Sequence, residues 1–313
     1  MFKNRLDQLI WQRHRRMLFA VGAMALFGVV MIALIALHDV TNDHYSRNLV
    51  NAVTMQQWAP YRGIYFSGFS AWLMIAAWLI GLEMMHLDLR DNFNQFLFSS
   101  GFSRQRIYWS KIKVAFLIIL FIDCVTTAVQ YLIYWIGTPN GYTWHIGWPG
   151  VLSSWLFGLM ISFGLFAISW FASLIIGQEG PLVVTIAGFT FSLGGYSAIG
   201  GNIVRKLTPL TETQIMWCVL TFAVILALAL LIWGAALYQR LSLEHNGEYL
   251  MFPHLRVPVY IVFVIYVTFF FSWTSDGTSF VLSLLFTLLF GYAWLWRPRL
   301  GEQWHQWRER KRG

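Results

Sequence analysis

Charge is what this chain lacks. Only 12% of its 313 residues are Asp, Glu, Lys or Arg, against about 25% in a typical soluble domain. Cysteine is as sparse. Cys124 and Cys218 are the only two, and both lie inside apolar runs, which excludes a disulfide framework and a cysteine-based zinc site. No G-x-x-x-x-G-K-[ST] loop occurs, so the chain has no phosphate cradle of its own. A nucleophile elbow and an H-E-x-x-H pair are missing too. No internal repeat or low-complexity linker is visible. The start of the chain does not read as a cleavable leader. Its apolar run Met17–Leu37 exceeds the roughly 7–15 residues of a leader's apolar core, and its basic lead-in is long.

What is present is apolar surface. Hydrophobic residues make up 58% of the chain, and runs of about 20 such residues recur, the pattern of membrane-spanning helices. Eight spans are expected, at about 17–37, 64–82, 114–136, 151–176, 182–200, 215–238, 257–272 and 279–296. The fifth contains "TIAGFTFSLGGYSAIGG", whose Gly188, Gly194, Gly195, Gly200 and Gly201 predict a broken or re-entrant helix. The net charge of +8 then marks the cytoplasmic side and the lipid headgroups before it marks nucleic acid. With the N-terminus inside, segments 1–16, 83–113, 177–181, 239–256 and 297–313 hold 18 of the 22 Lys and Arg, and the outer segments hold four. The expected fold is an all-α integral membrane protein with about eight transmembrane helices and both termini cytoplasmic.

The N-terminal "MFKNRLDQLIWQRHRR" places Phe2, Leu6, Leu9, Ile10 and Arg13 near one side, which suits an interfacial helix on the inner leaflet or a simple basic anchor. The tail "RPRLGEQWHQWRERKRG", with Trp304 and Trp307, reads as a headgroup anchor and not as a nucleic-acid arm. Asp123 is the one acid expected near the middle of a span. Thr127, Gln130 and Tyr134 come after it at helical spacing, with Thr126 beside them, so one polar face should point into the bundle or at a partner subunit. Two roles stay open for Asp123: a transport-path or gating acid, and a protonated or hydrogen-bonded link between helices.

Between the second and third expected spans, "EMMHLDLRDNFNQFLF" sets Met85, Leu89, Phe93, Phe96 and Leu97 on one helical stripe. Asp88, Asp91, Asn92 and Gln95 fall on the opposite face. The pattern predicts an amphipathic surface helix over 83–98. The next stretch is "FSSGFSRQRIYWSKIK". Gly101 breaks the helix, Ser103 is a good N-cap, and Arg104 starts the next helix. Lys111 and Lys113, at the edge of the third span, are expected to snorkel to anionic headgroups. His86, Asp88 and Asp91 lie close in sequence, but one His and two carboxylates on a wet face are a poor metal site.

The stretch "SSGFSRQRIYWSKIK" resembles the element after the second span of type-2 ABC transporter permeases. Ser103, Arg104, Arg106, Ile107 and Lys111 match its Ser–Arg turn, basic, aliphatic and Lys positions, and Gly101 stands where the family usually has proline. The resemblance covers about residues 1–240. "YQRLSLEHNGEYLMFPHLRVP" is similar, through Arg240, Glu244, Gly247, Glu248, Phe252 and Arg256, to the segment after the sixth span in a subgroup with extra C-terminal spans found in Gram-positive bacteria. The resemblance implies a permease domain over 1–240 and an extension with two further spans over 241–313. It implies a coupling turn in which Phe96, Gly101, Phe102, Ser103, Arg104 and Arg106, together with Glu179, touch a separate ATPase subunit. ATP and Mg would be bound by that subunit and no cofactor by this chain, which would not itself be an enzyme. The remaining implied partners are a second permease copy or a homologous one and the bilayer of a bacterial cell membrane, with no nucleic acid. Export of a lipid-like, peptide or antimicrobial cargo is the expected activity. Two rivals are a membrane enzyme acting on lipid precursors, built on His86, Asp88, Asp91 or the 244–248 loop, and a membrane sensor without transport.

Overall fold

The computed structural model describes residues 4–42, 50–52, 71–137, 144–146, 150–207, 212–241, 249–272 and 277–310. These form α1 (Arg5–Asn42), β1 (Val50–Ala52), α2 (Ala71–Arg90), α3 (Phe93–Ser99), α4 (Arg104–Gly137), β2 (Trp144–Ile146), α5 (Gly150–Ile175), α6 (Glu179–Leu207), α7 (Glu212–Gln239), α8 (Arg256–Ser272) and α9 (Gly277–Arg310). Among the described residues, six helical stretches are long and apolar enough to cross a membrane: Arg5–Ile35, Ala71–Arg90, Arg104–Gly137, Gly158–Ile175, Trp217–Gln239 and Pro253–Phe270. They correspond to the expected spans one, two, three, four, six and seven. Spans five and eight correspond to the shorter apolar stretches Glu179–Leu193 and Phe280–Leu295.

The chain divides into two compact units. The first comprises Met1–Leu174 and Thr211–Arg240. Within it α1 and α4 run side by side in the same direction: Asp7 meets Ser110, Gly22 meets Ile122, and Gly137 meets Leu37. α2 runs antiparallel to α1, with His14 against Asp88 at one end and Gly28 against the Trp72 indole near the other. That last approach needs glycine, since a Cβ on Gly28 would overlap the ring. α5 and α7 also run antiparallel to α4. Phe116 packs on Phe163 and Tyr108 on Trp170, while the Tyr108 hydroxyl donates to the Leu231 carbonyl at 2.9 Å. β1 and β2 pair in parallel, Val50 opposite Trp144 and Ala52 opposite Ile146. The apolar runs alone gave no sign of that pairing.

α4 shows how this unit meets its surroundings. Ile107, Val114, Ile118 and Ile122 are buried, while Leu117, Phe121, Leu132, Trp135 and Ile136 are exposed. The exposed apolar positions from Leu117 to Ile136 cover about 28 Å of helix, close to the roughly 30 Å of a bilayer's hydrocarbon core. The 38 residues of α1 span about 57 Å, so the helix continues well past any such layer.

Two expectations are corrected here. The N-terminal stretch is not a separate interfacial helix, because α1 is continuous from Arg5. Leu6 and Ile10 are fully buried among protein side chains, so their apolar side was read correctly but assigned to the wrong partner. The glycine-rich segment is not broken either, because α6 runs unbroken through Gly188, Gly194, Gly195, Gly200 and Gly201. Each interior glycine costs roughly 1 kcal/mol relative to Ala, less than leaving backbone groups unpaired in an apolar setting.

The second unit comprises Ile175–Leu210 and Leu241–Gly313. The start of its first segment is tied to the chain before α8. Met251 N–H donates to the Ile175 carbonyl at 2.8 Å, and Gly177 N–H to the Tyr249 carbonyl at 3.1 Å. Ser192 on α6 and Tyr266 on α8 share a 2.6 Å hydroxyl hydrogen bond. α8 and α9 form a hairpin in which Tyr260 donates to the Leu288 carbonyl at 3.0 Å and Phe263 packs on Phe290.

Candidate functional site

The chemistry-bearing side chains of the first unit gather where α2 turns through α3 into α4. The expected helix over 83–98 is two helices. α2 ends at Arg90, Asn92 adopts φ 55°, and α3 begins at Phe93. Asn tolerates the left-handed region better than most residues. Ser99 and Ser100 donate to the Phe96 and Leu97 carbonyls at 2.9 and 2.6 Å, closing α3. Gly101 then reverses the chain at φ 82° with open space around it. Proline is fixed near −65°, so this turn is built differently from one with proline at that position. Ser103 caps α4 as expected, its Oγ accepting from Arg106 N–H at 3.4 Å.

Behind the turn lies a buried polar cluster. Lys111 Nζ sits 2.6 Å from Asp88 Oδ2 and donates to Asn94 Oδ1 at 2.6 Å. The Tyr238 hydroxyl donates to the same Asn94 oxygen at 2.8 Å. His14 Nε2 lies 3.1 Å from Asp88 Oδ1. Asp88, Asn94, Lys111 and Tyr238 are fully buried, and His14 nearly so. The cluster ties α1, α2, α3, α4 and α7 together at one point. A buried ion costs several kcal/mol to desolvate, so such a pair persists only where partner geometry offsets that cost.

These contacts overturn two expectations. Asp88 is not on a wet face, and Lys111 does not reach headgroups. The break at Asn92 sets α3 on a new axis, so one stripe cannot run from Met85 to Leu97. Met85 and Leu89 are buried, Phe96 is exposed, and Asn94 points inward. The sequence did hold a signal. Lys111 shares its buried stripe with Ile107, Val114 and Ile118, and Asp88 shares one with Ala77, Ile80 and Met84. One cation and one acid at core positions of adjacent helices call for each other. Asn94, His14 and Tyr238 carried no comparable mark.

Outside the cluster runs a looser ring. Asp7 is paired with Lys113 and takes the Ser110 hydroxyl. Arg13 pairs with exposed Asp91, which Arg90 also approaches at 3.3 Å. The Arg13 hydrogen bond holds the Asp91 carboxyl below the ordinary carboxylate range. With Asp88 paired to Lys111 and Asp91 paired to Arg13, the two acids do not converge with His86 on one centre.

The expected contact residues are placed as follows. Phe96 is exposed and stacks on Phe93. Gly101 and Ser103 are exposed, and Phe102 is half-buried beneath the Arg106 guanidinium at 5.6 Å. Arg106 also donates to Asn4 at 3.3 Å. Arg104 turns inward, donating to the Gln239 carbonyl at 3.0 Å and covering the Phe98 ring at 4.4 Å. Glu179 is exposed at the start of α6 and belongs to the second unit. The 244–248 loop lies outside the described residues.

On α4, Asp123, Thr126, Gln130 and Tyr134 are buried, and Thr127 is only half-buried. Thr126 Oγ1 donates back to the Ile122 and Asp123 carbonyls at 2.8 and 3.1 Å. Neither Asp123 carboxyl oxygen takes a geometrically good hydrogen bond among the described residues, although the Trp155 indole lies beside the carboxyl.

The coarse class is that of a multi-pass helical membrane protein. The chain matches no known protein family, no curated protein and no solved structure.

Proposed function

We infer that this chain is the permease subunit of a type-2 ABC transporter, driven by a separate ATPase that binds the α3–α4 turn. The observation that carries the reading is the turn itself. A seven-residue helix is bounded by left-handed residues at Asn92 and Gly101 and presents Phe96 outward. Its inner side is anchored through Asn94 to Lys111 on α4 and Tyr238 on α7. A partner pressing on Phe96 would push on two long helices at once, which is what a mechanical coupling element requires. An exposed aromatic beside a half-buried one, Phe102, is the kind of anchor that dominates docking energetics.

The same reading gives the chain eight spans across a bacterial cell membrane with both termini in the cytoplasm, pairs it with a second copy or a similar permease, and assigns it export of a lipid-like, peptide or antimicrobial cargo. The parallel course of α1 and α4, with α2, α5 and α7 opposed, supports the odd and even span directions this requires in the first unit. Arg104 serves the turn from inside, so the partner-facing set becomes Phe96, Phe102 and Arg106. The test is isolation of the tagged chain from native membranes. Co-isolation of a protein with a phosphate-cradle loop, and nucleotide hydrolysis by the complex, is expected. Phe96→Ala with Phe102→Ala should release that ATPase while the permease stays inserted. Retention of the ATPase at the wild-type level by this double variant refutes the assignment.

A further inference from the structure

The outward face of α1 changes character within one turn. Gln8, Gln12, Arg15 and Arg16 are exposed, and the next large exposed residues are Phe19, Phe27, Met31, Leu34 and Ile35. A polar-to-apolar switch on one exposed face is where a helix enters hydrocarbon. It puts Arg15 and Arg16 about one turn outside, at headgroup depth.

The structure also sorts the cations near this level. Lys111 is taken by Asp88, Lys113 by Asp7, and Arg13 and Arg90 by Asp91. Arg104 and Arg106 are held by Gln239 and Asn4. No described residue accepts a hydrogen bond or ion pair from Arg15 or Arg16, and both are exposed. The Trp11 and Phe19 rings meet edge to face at 5.6 Å, spanning the helical position of Arg15 that lies midway between them. Two arginines with no acceptor among the described residues therefore lie at helical spacing from this aromatic pair, Arg15 four positions from each ring and Arg16 three before Phe19, at the depth where the protein surface turns apolar.

We propose that Arg15 and Arg16, with Trp11 and Phe19, form a binding site for an anionic phospholipid. The guanidiniums take the phosphodiester through paired N–H donors, and an acyl chain lies along Phe19 and Phe27. The headgroup contact expected of Lys111 and Lys113 passes to this pair, because protein acids already hold those lysines. A lipid is favoured over an acidic protein because the apolar half of the site continues down the helix. The proposal does not depend on the transporter reading.

The test is native mass spectrometry of the full-length purified chain in mixed micelles with phosphatidylglycerol or phosphatidylcholine. The wild type should retain phosphatidylglycerol preferentially. At roughly fivefold per cation near an anionic surface, Arg15→Gln with Arg16→Gln should lower apparent phosphatidylglycerol affinity roughly 30-fold at low salt. Arg90→Gln, whose parent side chain lies 3.3 Å from Asp91, should stay within about twofold of wild type. Should the Gln variant fail to purify intact, Arg15→Lys with Arg16→Lys keeps the charge and loses the fork. It should bind weakly but measurably better than phosphatidylcholine controls. Glycerol phosphate, which lacks acyl chains, should not compete; full competition would make this a phosphate site and overturn the lipid assignment. Wild-type affinity in the Gln variant, or protection of the two arginines from dicarbonyl modification by a poly-glutamate peptide but not by phosphatidylglycerol, would also overturn it.

Discussion

Replacing Lys111 by Met removes one half of a buried ion pair and leaves Asp88 in the interior. The two atoms lie 2.6 Å apart with no exposed surface on either side chain. At an effective dielectric of about 20, that separation corresponds to about 6 kcal/mol of attraction. Desolvation of the two ions costs several kcal/mol each, so the intact pair adds little net stability. Breaking it is different. The uncompensated carboxylate should cost about 3–5 kcal/mol, and Asn94 Oδ1 loses one of its two donors. Lys111→Met with Asp88→Asn removes both charges, so it should cost clearly less than the sum of the two single changes. Unfolding in mixed micelles with rising SDS, followed by tryptophan fluorescence, measures all three variants against wild type. A Lys111→Met cost below about 1 kcal/mol, or additive costs in the double variant, would show that the pair is not buried and coupled as described.

Three further outcomes are expected. A cysteine at Asn140 should react with an impermeant thiol reagent on intact cells, and one at exposed Gln95 on α3 should react only after permeabilisation; labelling of Gln95 from outside would overturn the orientation. Asp123→Asn keeps the shape of a buried side chain that has no good hydrogen bond among the described residues, so the variant should insert, assemble and hydrolyse nucleotide with its partner as wild type does; normal assembly with lost transport would instead place Asp123 in the transport path. Gly101→Ala at φ 82° should cost about 1–2 kcal/mol by the strain of a Cβ in the left-handed region, read as a lower SDS midpoint, and a stability equal to wild type would mean that the turn relaxes out of that conformation.

How much of this could be read beforehand varies with the kind of pattern. The long spans were plain, because a bilayer-length run of apolar residues has few other uses and the runs around Val29, Ile119 and Leu231 carry almost no charge. The cap at Ser103 and the turn at Gly101 were equally plain, because both depend on local backbone chemistry. The helix over 83–98 was misjudged because a periodic pattern assumes one unbroken axis, and a single left-handed residue at Asn92 shifts every later side chain.

The amino-acid sequence by itself determined the class of protein, most of the spans and the local punctuation of the turn. Those properties arise from composition and from residues within a few positions of one another. Only the tertiary structure decided that Lys111 meets Asp88 and Asn94, that Tyr238 closes the cluster from a helix 144 positions beyond Asn94, and that Leu6 and Ile10 face protein. A buried charge is stable only against a partner, and which partner is fixed by how distant helices pack. The same packing pairs Asp7, Asp88 and Asp91 with Lys113, Lys111 and Arg13 and leaves Arg15 and Arg16 without an acceptor among the described residues.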